Sequence, residues 1–152
     1  MNKGLLVYED HPKVAGWLKL LIACILGSTI VLGLVFLAIN VADAMIVFAL
    51  TVFYGLLFYF ILPRSYQIYT DCLKIKLGGP FRITVGYQKI ISVKKVDSIN
   101  AWAYSGLRLA TNNHYVLEIV RKKGLNVVIS PTSGELFLIQ LNQNLKAGTN
   151  RL

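Results

Sequence analysis

The chain reads as a membrane-anchored protein: two spanning helices, then a small β structure that a C-terminal amphipathic helix closes. Three observations predict that class. Leu20 to Leu62 is 43 residues long and holds a single charge, Asp43. From Tyr66 onward the apolar residues recur at every second position, the period of a half-buried strand. After Ser130-Pro131-Thr132-Ser133 the period turns helical, with Phe137, Leu141 and Leu145 four apart and Leu138 on the same side.

The apolar stretch divides into 20–39 and 44–62, each long enough to cross the hydrocarbon core as a helix. Only Asn40-Val41-Ala42-Asp43 separates them, so the pair is predicted to form a transmembrane hairpin over 20–62. All 16 Lys and Arg lie outside it; Lys3, Lys13 and Lys19 precede it and Arg64 follows at once. The positive-inside rule then puts both termini in the cytoplasm and the turn outside, as in a multi-pass protein of the cytoplasmic (inner) membrane. Trp17, Tyr59 and Tyr66 are expected as interfacial anchors, and Pro63 as the end of the second helix. Ala42-Asp43-Ala44 formally fits a signal-peptidase site. The apolar run before it is too long for that, and a second span follows directly, so the segment is expected to stay. Ala23 and Gly27 are candidate helix-packing residues, because small side chains four apart let helices approach closely in lipid. Asp43 is assigned to the turn, which leaves no charge in mid-membrane and argues against a transporter.

Residues 1–19 form a short cytoplasmic segment. Leu5 to Tyr8 suits a strand or a stretch lying on the membrane, and Glu9-Asp10-His11 reads as a solvated turn. The domain is assigned to 64–146 and a tail to 147–152. From Arg64 to the end there are 13 basic and four acidic residues, so this part carries the net +9. That charge suits an anionic inner leaflet. Nucleic acid is not expected, because no basic recognition helix or aromatic RNA motif accompanies the charge. Cys24 and Cys72 offer no disulfide framework, and His11 and His114 show no metal-ligand spacing. No nucleophile–base pair or phosphate loop stands out, so neither an enzyme nor a cofactor is expected.

Within the domain, Leu73, Ile75 and Leu77 alternate with Lys74 and Lys76. Gly78-Gly79-Pro80 turns the chain, and Phe81, Ile83 and Val85 return with Arg82 and Thr84 between them. Ile90 to Val93, Tyr104 to Leu109, Tyr115 to Val120 and Leu125 to Ile129 are further strand candidates, with Arg121-Lys122-Lys123-Gly124 as a hairpin turn. Candidate lipid or partner contacts are the solvent-facing cations Lys74, Lys76, Arg82, Lys94, Lys95, Arg121, Lys122 and Lys123. Trp102 and Tyr104 join them as aromatic anchors of the kind that dominate interfaces.

Y-x-I-x-x-D-x-L-x-I at Tyr66 to Ile75 and Y-x-K-I-x-x-V at Tyr87 to Val93 resemble segments of bacterial pleckstrin-homology-like (PH-like) domains. The stretch Glu118 to Leu141 (strand, basic turn, strand, Ser-Pro, Phe-bearing helix) resembles their end. The resemblance covers about residues 5–146. It implies a barrel or sandwich of about seven strands capped by a helix, with no known catalytic residues. The expected role is a non-enzymatic, membrane-anchored adaptor whose basic domain meets a protein partner or anionic lipid. The alternative is a small accessory subunit of a larger membrane complex.

Overall fold

The computed structural model describes residues 4–96, 106–112 and 115–149. The chain divides into two compact units: one is Val14–Leu62, and the other joins the chain through Lys13 to the chain from Pro63 onward.

The first unit is a pair of helices, α1 (Gly16–Leu37) and α2 (Val41–Ile61). Both are apolar on every side, and about 6% of the most apolar stretch of each is buried. At 1.5 Å per residue each is about 32 Å long, long enough to cross a hydrocarbon core. Their interior hydroxyls are satisfied within their own helices: Ser28 donates to the Ile25 carbonyl, Thr29 to Leu26 and Thr51 to Val47. The helices meet at Gly33, which is buried, where an added Cβ would lie 2.7 Å from the Phe48 ring. Asn40 caps α2, accepting from the Ala42 N–H at 3.0 Å and donating to the Asp43 carboxylate at 3.0 Å. Asp43 therefore belongs to the first turn of α2, not to the connection as the sequence suggested. Its charge is favourable there, because the first turn exposes unpaired N–H groups.

The second unit holds eight strands among the described residues: β1 (Leu6–Asp10), β2 (Ser65–Tyr69), β3 (Cys72–Lys76), β4 (Arg82–Gly86), β5 (Ile90–Val96), β6 (Leu107–Arg108), β7 (Val116–Arg121) and β8 (Val127–Ile129). They form two four-stranded sheets, β1-β2-β3-β4 and β5-β7-β8-β6, so the expected barrel is not closed. The C-terminal helix, α3 (Gly134–Thr149), packs on both.

Alternation explains the core. Tyr66, Ile68, Leu73, Ile75 and Val85 from the first sheet, and Leu117, Ile119, Val127 and Ile129 from the second, point at one another and are buried. Phe137 and Leu141 of α3 fill the space between them, and Phe137 is met edge-on by Tyr8 and Tyr66, each with ring centroids 6.2 Å away. Tyr66 is thus a core residue rather than an interfacial anchor. It is fully buried, and its hydroxyl donates to the Leu109 carbonyl at 2.9 Å. In the second sheet Val116 and Val128 pack on the opposite face with Val96 and Ala110.

The strand before the helices completes the first sheet. β1 pairs antiparallel with β2, and the Leu5 carbonyl accepts from the Thr70 N–H. Asp10 is buried, and its carboxylate accepts from the His11 N–H at 2.7 Å and from Ser133 N–H at 2.8 Å, just ahead of α3. The His11 carbonyl accepts from both the N–H and the hydroxyl of Thr132. The expected solvated turn at Glu9-Asp10-His11 is therefore a seam for Asp10. A buried carboxylate there is stable because backbone donors replace its water. The helices α1 and α2 thus interrupt one domain between its first and second strands.

Candidate functional site

The outer face of the first sheet carries the polar residues that alternation leaves over. Its register sets them in rows. Ser65, Lys76 and Arg82 are cross-strand partners in one row, and Gln67, Lys74 and Thr84 in the next. Lys76 and Arg82 are exposed, whereas Lys74 lies over the Tyr69 ring with its ammonium 3.8 Å from the centroid. Between β3 and β4 the chain turns through Gly79, whose φ of 65° suits glycine, and presents exposed Pro80 and Phe81. Arg64 adjoins this row, its N–H donating to the Lys76 carbonyl at 2.7 Å.

Glu9 is the carboxylate beside these cations. Partial burial pushes its pKa up, but hydrogen bonds with Ser65 and Gln67 and the charges of Lys76 and His11 outweigh that, so it titrates below its ordinary value of 4.5. A lowered folded-state pKa adds stability above the unfolded value, and the addition is lost as pH falls through the folded one. Glu9→Gln is therefore expected to lower stability slightly near pH 7 and to flatten the acid limb of the pH–stability curve, the two proteins converging as pH falls below about 4.5. Urea titrations across that range check it.

A second group of cations gathers at the other end of the domain. β4 runs from the Arg82 row to Gly86, about 13 Å at strand rise. A short 3-10 turn, Tyr87–Lys89, follows, and the Lys89 carbonyl accepts from the Lys122 N–H. Lys122 and Lys123 are exposed on the β7–β8 turn, closed by Gly124 at φ 88°. Ile91 and Leu125, each 61% exposed, stand beside them. Arg121 is tied down: Asn126 Oδ1 accepts from its N–H, Nη1 donates to the Leu125 carbonyl, and its buried Nε has no hydrogen-bond partner. Lys94 and Lys95 lie along β5, opposite Glu118 and Leu117, with the Lys95 ammonium 4.6 Å from the Tyr115 ring centroid.

The structure thus separates the sequence candidates. Lys76 and Arg82 come together at one end, Arg121, Lys122 and Lys123 at the other, and Lys94 and Lys95 on β5. Trp102 and Tyr104 lie outside the described residues. Ala23 is exposed and an added Cβ on Gly27 meets nothing within 4 Å, so neither takes part in the α1–α2 contact. Sequence reasoning missed Arg64, Lys89, Phe81, Ile91 and Leu125. Only the pairing register reveals which of them share an end, although "cation beside a turn" was a usable signal for the first two.

Burial pushes the Tyr66 and Tyr87 hydroxyls well above their ordinary value. Burial and the neighbouring Asp71 push the Cys72 thiol up to about 11, which keeps it protonated and unreactive at neutral pH. No group of three or more His, Cys, Asp or Glu able to hold a metal occurs among the described residues.

The family model described as "Bacterial PH domain" matches residues 64–145, more than half of the chain. The chain belongs to the bacterial PH-domain family. No curated protein and no solved structure matches it. PH domains are generally non-catalytic modules that bind lipids or proteins. The matched PH segment begins one residue before β2, so β1, which completes the first sheet of this PH domain, lies outside it on the far side of α1 and α2.

Proposed function

We propose that the chain is a non-enzymatic binding module, anchored by α1 and α2 in the cytoplasmic membrane, with its PH domain on the cytoplasmic side. The observation that carries this reading is a PH domain interrupted by two helices that are each long enough to span and almost uncovered by protein. A core helix of a water-soluble protein would be mostly buried, and large apolar surfaces left in water favour association. The distribution of Lys and Arg supports the cytoplasmic side. Tethering concentrates the domain at one surface, so individually weak contacts suffice. The Lys76–Arg82 row suits anionic lipid, and the Lys89, Lys122, Lys123, Ile91 and Leu125 end suits a protein partner with acidic and apolar side chains.

A second reading, an accessory subunit of a larger membrane complex, is favoured by one observation. The Ala23–Gly27 face of α1 is left unoccupied by α2, as a face meant for another helix would be. In-cell photocrosslinking separates the two. A crosslinker at Leu125 is expected to yield a discrete protein adduct, and one at Leu20, exposed on the Ala23–Gly27 face, lipid adducts only. Protein adducts from Leu20 with none from Leu125 would replace the module by the subunit.

A further inference from the structure

We infer that the outer edge of β1 pairs antiparallel with β1 of a second copy of this chain, joining two domains through one continuous sheet. This rests on the anchoring proposed above, which confines copies to one surface, and concerns a strand outside the matched residues 64–145.

The edge itself comes first. β1 is the end strand of its sheet, paired on one side with β2. Among the described residues, backbone pairing on its other side is confined to the far end. There Pro12 bridges to Pro131, and the His11 carbonyl accepts from the Thr132 N–H. Leu6 is in register with Tyr69 and Tyr8 with Ile68, which passes over Val7 and leaves its backbone without a partner in β2.

The side chains set this edge apart. Proteins blunt their sheet edges with charge, Lys above all, because an open edge accepts foreign strands. Three of the four end strands here carry such a charge: Arg82 on β4, Lys94 and Lys95 on β5, and Arg108 on β6. β1 holds no cation. It presents Leu6 and Val7, 48% and 43% exposed, and Leu5 just before them is 78% exposed.

Charge also selects the occupant. The chain from Arg64 onward carries +9, so two copies repel wherever their cations face one another. At β1 the charged residues are Glu9 and the buried Asp10, so two basic domains approach here with the least repulsion. Antiparallel pairing about Val7 sets Leu5 against Glu9 and Leu6 against Tyr8. It keeps the two Glu9 residues about 13 Å apart along the strands. Identical strands paired in this way are related by a two-fold axis, so the contact closes at two copies instead of propagating. Five residues a side bury far less than the roughly 1,200 Å² of a stable soluble interface, so the pair depends on confinement in the membrane.

The test uses the full chain in its membrane, carrying Cys24→Ala with Cys72 left buried. Leu5→Cys, Leu6→Cys, Val7→Cys and Glu9→Cys are made singly, with Ile139→Cys on α3 as the control. Copper phenanthroline in air oxidises facing thiols to disulfides. The expected yield of dimer peaks at Val7→Cys and falls on both sides. Mixing Leu5→Cys with Glu9→Cys chains is expected to give more dimer than either alone. Val7→Lys, which charges this edge like the other three, is expected to lower that mixed crosslink about ten-fold, whereas Val7→Leu leaves it in place. Circular dichroism checks that both variants, altered at an exposed side chain, stay folded. Yields at positions 5 to 9 no higher than at 139 overturn the inference, as do equal yields at all four, which parallel strands would give. A photocrosslinker at Leu6 that captures only lipid or a different protein overturns it too. These readings are taken on protein that an alkaline wash leaves in the membrane, so the anchoring stands when they fail. Loss of the protein in that wash overturns the anchoring itself.

Discussion

The domain made from residue 63 onward, without the chain before α1, is expected not to fold. It loses β1, and with it the backbone ladder along β2, the Tyr8 ring that packs on Phe137, and the Asp10 carboxylate that accepts from Ser133. Several hydrogen bonds at about 1 kcal/mol each, plus roughly 2 kcal/mol for a buried aromatic, amount to a loss on the order of 5 kcal/mol. That is comparable with the whole stability of a domain of this size. The β2 edge would also be opened to pairing with other chains. A fusion in which residues 4–13 join residues 63–149 through a short Gly/Ser linker is expected to restore a soluble, cooperatively unfolding domain, because closing a short flexible loop costs little more as it lengthens. Urea unfolding of the two versions, followed by circular dichroism, checks this. Equal stability would show that β1 is an accessory to the domain rather than part of it.

Phe137→Ala in that fusion is expected to lower stability by about 3–5 kcal/mol. Phe137 is fully buried where α3 meets both sheets, with Tyr8 and Tyr66 edge-on to its ring. The cavity is walled by strands that are hydrogen-bonded to one another and collapse poorly into it. Phe137→Leu should recover more than half of the loss, and a loss near 1 kcal/mol would mean that α3 covers the sheets loosely. The exposed α3 residues Leu136 and Ile139 supply the control, since their truncation removes far less packing.

Much of this fold was legible because its signals are local. Period two from Leu73 to Leu77, the Gly79 and Gly124 turns, and the spacing of Phe137, Leu141 and Leu145 each follow from a few adjacent residues. The family followed from motifs inside Tyr66 to Leu141. What the sequence hid depends on pairs distant along the chain. Leu6 to Asp10 is a short run in front of a long apolar block, and nothing within it says that its partner lies beyond both helices at Tyr66 to Tyr69. Asp10 looked solvated because its donor, the Ser133 N–H, is 123 residues away. Tyr66 looked like an interfacial ring because it follows a membrane-length helix. Strand register sends it inward, while Ser65 and Gln67 take the other face. The candidate surface was half legible: basic residues and turns stand out, but their division between two ends of the domain comes only from the pairing of β2, β3 and β4 and from the Lys89–Lys122 contact.

α1 and α2 are expected to cross a membrane and return, with the completed domain on the inner side. Single thiols at Ile39→Cys, between the helices, and at Lys123→Cys, on the β7–β8 turn, test it in intact cells carrying Cys24→Ala. Cys72 stays in place, being buried and held as a thiol. A membrane-impermeant maleimide should label Ile39→Cys directly and Lys123→Cys only after the membrane is permeabilised. Labelling of both positions from the same side would contradict a spanning hairpin, and labelling of Lys123→Cys alone from outside would invert the orientation.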